Sequence, residues 1–333
     1  MSPNIEPLPT DAPDNGPLVT AWRLDGAGGG TEIGWGEVNA GVEGPVWIHL
    51  HFPNPEAQRW LVEASGLDEV VTDAMLAEET RPRAVTHGSG ILANLRGVNL
   101  NPGAEAEDMV SVRIWLEPGR IITTRRRHLR SVDDVRAALV RGGGPENPAA
   151  LMALLAERLA ERASDVVEAL SDQVDDLEEA ATRRDPQAVR HQVADCRHRA
   201  VQLRRYLAPQ RDALGRVAVE RVGSLSDDDR LLLREVVDRL TRTVEELDMA
   251  RERSQVIQEE ITSYATEQLS RRMYVLSLVA GVFLPLSFVT GLLGINVGGI
   301  PGSDNPDAFR WVMAMLGVVF LGLLATFRWV RWW

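Results

Sequence analysis

The chain has 333 residues, a formal net charge of −12, 25% charged side chains and a single cysteine, Cys196. That length suits one large domain or two ordinary ones, and the acidic balance argues against a nonspecific nucleic-acid binder, whose footprint is basic. One cysteine excludes an intramolecular disulfide and any zinc cluster built from several thiolates of one chain.

Residues 1 to 16 are polar and proline-rich, with no apolar core. They read as a disordered lead rather than a cleavable signal, so the N-terminus is expected to stay on the cytoplasmic side. Residues 17 to 140 mix two patterns. "LVTAWRLD", "PVWIHLHF", "ILANLRGVNL" and "MVSVRIWLEPGRIITTRR" read as strands, with a hairpin turn at Glu117, Pro118 and Gly119. "NPEAQRWLVEASGL" and "DEVVTDAMLAEE" read as helices, which makes this an α/β domain. The "GAGGG" at 26 to 30 lacks the spacing and following helix of a phosphate-binding loop and reads as a flexible turn.

"RGGGPENP" at 141 to 148 is a linker, and 149 to 225 is a helical region with Pro186 and Pro209 as expected helix boundaries. An acidic run from Glu157 to Glu179 includes Asp172, Asp175 and Asp176. It can be a solvated face, a specific divalent-cation site, or a diffuse source of negative potential that attracts cations. His191 and His198 lie seven residues apart and are read as solvated, while His49 and His51 fall on a strand. Cys196 reads as an ordinary thiol on a helix.

Ser226 is a fitting N-cap for a very long helix that runs to 293, meets no glycine before Gly281 and no proline before Pro285. At 1.5 Å per residue it is about 100 Å long. Leu233, Val237, Leu240, Val244 and Leu247 follow a three-four spacing. That spacing serves helix association or packing on the helix's own domain equally well. Farther along, Glu252, Glu259, Ser263, Thr266, Ser270, Ser277 and Gly281 lie within about 40° of one line at 100° per residue. Small hydroxyls on a helix entering a membrane suit a hydrated path between symmetry-related copies, with close helix contact as the alternative. The same line continues through Leu284, Phe288 and Gly291, a candidate apolar constriction.

Residues 275 to 293 carry no charge, and their length of about 28 Å matches the hydrocarbon core of a bilayer. A second uncharged run at 311 to 327 completes a crossing with its flanks, over 309 to 330. Arg271 and Arg272 precede the first span, and Arg328 and Arg331 follow the second, which puts both termini in the cytoplasm and leaves 294 to 308 as a short external loop. Trp329, Trp332 and Trp333 suit an interfacial belt. Two helices cannot enclose an aqueous path, so conduction requires several copies around an axis.

At the end of the first span, Gly294 permits close approach and Asn296 offers a neutral carbonyl. A ring of such asparagines can hold a hydrated divalent cation without stripping its waters, and Gly298, Gly299, Pro301 and Gly302 form a turn that braces the ring.

With Gly294, Ile295 and Asn296 placed before this turn and a second C-terminal span, the chain resembles the CorA metal-ion transporter superfamily. The form "GLLGINVGGIPG", together with "ETRPR" at 79 to 83 and "DMVSVRIWLEPGRIITTRRR" at 108 to 127, is similar to its ZntB zinc-transporter branch. The resemblance implies a homopentamer with an α/β cytoplasmic domain, a stalk helix continuing into a pore-lining first span, and a lipid-facing second span. It implies that Gly294, Ile295 and Asn296 recruit the hydrated cation at the external mouth. Ile295 replaces the methionine of magnesium-transporting members, which points to zinc uptake across the inner membrane, in some form coupled to protons, over a magnesium or cobalt channel. No cofactor is implied beyond the transported cation. A membrane-anchored cation sensor is the competing class, and no catalytic constellation argues for an enzyme.

Overall fold

The computed structural model describes residues 16–78, 81–183, 186–220, 225–294 and 305–329. Its strands are β1 (Leu18–Leu24), β2 (Gly30–Glu32), β3 (Val46–His51), β4 (Arg83–His87), β5 (Gly90–Gly97), β6 (Val110–Glu117) and β7 (Arg120–Arg125). They form one sheet in the order β2-β1-β3-β7-β6-β5-β4. β3 and β7 run parallel, and the other neighbouring pairs are antiparallel. Pro118 and Gly119 join β6 to β7 as a tight turn, where Gly119 supplies the φ of 82° that a side chain would resist.

The central strands are buried along nearly their whole length, not on alternate residues, so Ile121 and Ile122 on successive positions are both fully enclosed. A sheet covered on both faces demands such continuous apolar runs. On one face, α2 (Pro55–Glu63) and α3 (Glu69–Leu76) pack Trp60, Leu61 and Met75 against Ile48, Leu50 and Ile122. Each such side chain contributes about 1.5–3 kcal/mol by leaving water. Asn54 and Asp68 cap these helices by accepting backbone N–H groups of their first turns. On the other face lie α5 (Pro148–Arg183) and α6 (Pro186–Val219). Gly97 on β5 lets this layer approach closely: a Cβ there would stand 2.6 Å from the end of Leu129 and 2.7 Å from the end of Leu159 of α5, and both leucines would have to shift.

The short elements α1 (Trp35–Ala40), β2 and β4, and the helix α4 (Arg130–Val140), are additions to the expected set. The glycine-rich segment at 26 to 30 is a turn organised by Asp25, whose carboxylate accepts from the Ala27 and Gly29 amides at 2.8 and 3.0 Å. β2 follows it, not a helix. One expectation is corrected: Pro209 does not end a helix but lies inside α6. A proline in a helix interior costs about 3 kcal/mol. Fully buried Leu203 and Leu207 before it, and Ala213 and Leu214 after it, tie both halves of α6 to the core and outweigh that cost.

A polar pair is buried where β3 meets β7. His49 lies opposite Thr123, with its Nδ1 2.7 Å from the threonine Oγ1, which also accepts the Trp47 indole N–H at 2.8 Å. Complete burial, and then the charges of Arg125 and Arg136, hold the His49 pKa well below the usual 6.5, so it is neutral in the fold. Below pH 6.5 the unfolded chain takes up a proton there that the folded chain refuses. Stability contributed by His49 is therefore fully present above 6.5 and falls as the pH drops from 6.5 toward the folded-state value, by up to about 1.4 kcal/mol per pH unit. Thermal melts of the wild type between pH 7 and 5 should show this slope, and His49→Gln should lower the melting temperature at pH 7 while flattening the decline.

Candidate functional site

The longest element is α7 (Asp227–Leu293), followed by α8 (Ala308–Trp329). The start of α7 is fixed by a reciprocal cap. Ser226 Oγ accepts the Asp229 amide at 3.1 Å, and the Asp229 carboxylate accepts the Ser226 amide at 2.9 Å. Acidic Asp227, Asp228 and Asp229 fill the first turn, where the helix dipole favours negative charge.

The chain divides into two compact units within α7, one ending at Gln258 and the other beginning at Glu259. In the first unit α7 packs on its own domain. Leu233, Leu240, Val244 and Leu247 are buried, and Val236 rather than Val237 fills the remaining position. The Thr243 and Ser164 hydroxyls meet at 2.9 Å, Arg204 pairs with Asp248 at 2.7 Å, and Arg253 bonds Glu178 at 2.5 Å and also pairs with Asp175. The three-four stripe therefore serves intramolecular packing.

These pairs decide what the acidic run offers. Asp175 is occupied by Arg253, whereas Asp172 lines a groove of about 620 Å³ together with Asp165, Glu168 and Glu246. Arg239, Arg242 and Arg253 line the same groove, which is thus mixed in charge. Asp176, Glu252 and Glu259 are exposed. Among the described residues no cluster of three or more histidine, cysteine, aspartate or glutamate side chains is placed to hold a metal ion. Sequence reasoning missed Arg253, because its partners lie 75 residues away or more and carry no local signal. His191 and His198 are exposed, and Cys196 is buried with its thiol pKa raised by that burial.

In the second unit the apolar part of α7 and all of α8 are long and apolar enough to cross a membrane, and no residue of either apolar window is buried. Leu284, Phe288, Phe309 and Trp311 are exposed by 69, 70, 75 and 71%. A soluble protein rarely exposes so large a contiguous apolar surface, so these are not core helices.

Ser263, Thr266, Ser270 and Ser277 are exposed, as are Leu284, Phe288 and Gly291. Thr266 donates its hydroxyl hydrogen to the Thr262 carbonyl at 2.9 Å, a bond that uses neither of its oxygen's two lone pairs. The partly covered positions Leu278, Val282, Pro285 and Val289 mark a different side, centred about 100° from the hydroxyl line. Gly281 sits between the two: a Cβ there would stand 3.0 Å from the Phe327 ring of α8. Its position thus faces α8, while Pro285, which has no N–H, leaves the Gly281 carbonyl without its usual helical donor.

Gly294 closes α7, its amide donating to Thr290 O at 2.9 Å. Asn305 starts α8 by accepting the Asp307 amide at 2.9 Å, and Arg310 pairs with Asp307 at 3.2 Å. Ile295, Asn296, Gly298, Gly299, Pro301 and Gly302 lie outside the described residues.

Three comparisons bear on this arrangement. The family model described as "CorA-like Mg2+ transporter protein" matches residues 42–328. The chain is 41% identical over 325 residues to the "Divalent cation transporter CmaX" of Pseudomonas aeruginosa, covering 95% of this chain and 96% of that one. It is 38% identical over 315 residues to the "Zinc transport protein ZntB" of Pectobacterium carotovorum, covering 95% and 94%. Among solved structures, full-length CmaX superposes with a TM-score of 0.85 over 97% of this chain and 100% of that one, at 41% identity. The CorA magnesium transporter of Methanocaldococcus jannaschii shares the fold at a TM-score of 0.78 and 16% identity, over 93% of this chain and 96% of that one.

The contact at Gly281 is testable. Gly281→Leu should overpack the Phe327 ring and cost about 1–3 kcal/mol, read as a lower melting temperature of the detergent-solubilised protein. Adding Phe327→Ala should recover much of that loss, because the two positions share one space.

Proposed function

Because the chain belongs to the CorA-like divalent-cation transporter family, we propose that its cargo is zinc, taken up into the cytoplasm by a homopentamer. The α/β domain is cytoplasmic, the two apolar helices give the inner-membrane, multi-pass topology of the family, and the chain is not an enzyme. The observation that carries the finer reading is the line of hydroxyls on α7. Ser263, Thr266, Ser270 and Ser277 stay open on a side that α8 leaves uncovered, and the helix runs without a break into its apolar segment.

Five copies arranged around that line make a wet path whose wall carries oxygens in place of part of the ion's hydration shell. Leu284, Phe288 and Gly291 continue the line as a narrow apolar stretch. Water leaves such a constriction readily, so it would gate the path. At the outer mouth Gly294, Ile295 and Asn296 receive the hydrated cation. A neutral carbonyl is the suitable donor there, since it attracts a divalent ion without holding it so tightly that passage stops. The exposed acids Asp172, Asp176, Glu252 and Glu259 lower the potential on the cytoplasmic side and favour exit of the cation. Zinc is supported by the ZntB relatives and by Ile295 in place of methionine. The family model's own description favours magnesium as the second reading.

Flux into liposomes separates these readings. Zinc should enter and outcompete magnesium and cobalt, and an inward proton gradient should raise the rate. Asn296→Ala, which removes the carbonyl from all five copies of the ring, should cut flux by about tenfold or more, with the pentamer intact on a native gel. Wild-type protein that moves no divalent ion would sink the proposal, and a magnesium preference would replace zinc.

The path itself can be mapped with introduced cysteines, because the native thiol Cys196 is buried. Cysteines at 263, 270 and 277 should react with a water-soluble thiol reagent and lose flux on modification. Cysteine at 282, on the side facing α8, should react far more slowly.

A further inference from the structure

Just before the uncharged segment, α7 carries a groove of about 680 Å³ that the transport reading does not use. Arg271 and Arg272 line its polar part with Tyr264 and Gln268, and Val275 and Val279 line its apolar part. The polar rim is partly ordered: Gln268 Nε2 donates to the Tyr264 hydroxyl at 2.8 Å, and Arg272 reaches Gln268 Oε1 only at 3.5 Å. Among the described residues neither Arg271 nor Arg272 forms an ion pair. Among the described residues Glu267 is the groove's single carboxylate, so the two arginines and one glutamate of this lining carry a net charge of +1.

We propose that this groove binds one anionic phospholipid of the cytoplasmic leaflet, with its phosphodiester on Arg271 and Arg272 and its acyl chain along Val275 and Val279. The charges match, because a phosphodiester carries one negative charge. Guanidinium forks meet phosphate oxygens in pairs, which a compact ammonium cannot do. The polar-to-apolar order along the groove matches the order of a lipid, since Arg271 and Arg272 stand one turn before the uncharged run at 275 to 293. The groove is also centred about 160° around α7 from the hydroxyl line, so its occupant and a conducted ion use opposite sides of the helix. A soluble phosphate has no use for the apolar half, and a second protein copy has no need of the unpaired arginines.

The test uses the full-length protein reconstituted in phosphatidylcholine vesicles with or without phosphatidylglycerol, then extracted in mild detergent and weighed by native mass spectrometry. The wild type should retain phosphatidylglycerol in preference to phosphatidylcholine. Arg271→Gln with Arg272→Gln should weaken that retention by roughly tenfold or more. Arg271→Lys with Arg272→Lys, which keeps the charge but gives up the paired fork, should lose clearly less retention than the glutamine variant and guards against a folding artefact. Added inorganic phosphate should not displace the lipid. Equal retention in the wild type and the glutamine variant overturns the proposal, as does loss of retention in the lysine variant equal to that in the glutamine variant. Displacement by inorganic phosphate would make the groove a free-anion site. A change of oligomeric mass in the glutamine variant with lipid retention unchanged would assign the face to a second copy.

Discussion

A peptide group inside hydrocarbon has no water to bond, so it must bond within its own helix or be buried by a neighbour. The architecture of this chain follows from how α7 meets that demand over 67 residues. At its watery end the open N–H groups are closed by Ser226 and Asp229, and at its other end Gly294 bonds back to Thr290. Between them the ladder has one deliberate gap, at Pro285, where the carbonyl of Gly281 loses its donor. One continuous helix thus carries the chain from the packed α/β unit into the exposed apolar segment.

The two parts of α7 are stabilised by different physics. Up to Gln258 the helix earns its place by burying Leu233, Leu240, Val244, Leu247 and Ile257 among its own domain's side chains, with arginine–carboxylate pairs around the edge. In the uncharged run from 275 to 293 apolar side chains are exposed or only partly covered, and their stability comes from the solvent around them. The pairs also thin out the negative charge. Of the acids that would otherwise draw cations, Asp175 and Glu178 are engaged by Arg253, and the mixed groove between α5 and α7 leaves a weaker, distributed potential. A distributed potential concentrates cations without trapping them, which suits passage better than a tight site.

Much of the fold was legible because the apolar code is local. The segments written as strands and helices in the α/β part correspond to β1, β3, β5, β6, β7, α2 and α3, and the hairpin at Pro118 and Gly119 formed as its residue types require. Three-residue β2 is too short to show a period, and β4 is a mostly exposed edge strand, so both were invisible to pattern reading. Pro209 misled because its local cost is real but small beside the burial on either side of it. The candidate site was legible in the same uneven way. The hydroxyl line of Ser263, Thr266, Ser270 and Ser277 is a periodicity, and periodicity survives in one dimension. That Gly281 turns toward Phe327 is a contact between residues far apart in sequence, and it has no one-dimensional trace.

From the sequence alone came the two apolar spans, the capped helix that feeds the first of them, the α/β character of the preceding domain, and the Gly294-Ile295-Asn296 triplet at the end of the span. Each is set by residue type and spacing along one chain, where propensity, hydropathy and capping act within a few residues. Tertiary structure alone decided which face of α7 is spent on α5, which carboxylates are already paired, how the sheet is ordered around its parallel β3–β7 pair, and which side of the first span α8 covers. Those outcomes depend on which distant surfaces meet, and the free energy that selects among them exists only when the surfaces are in contact.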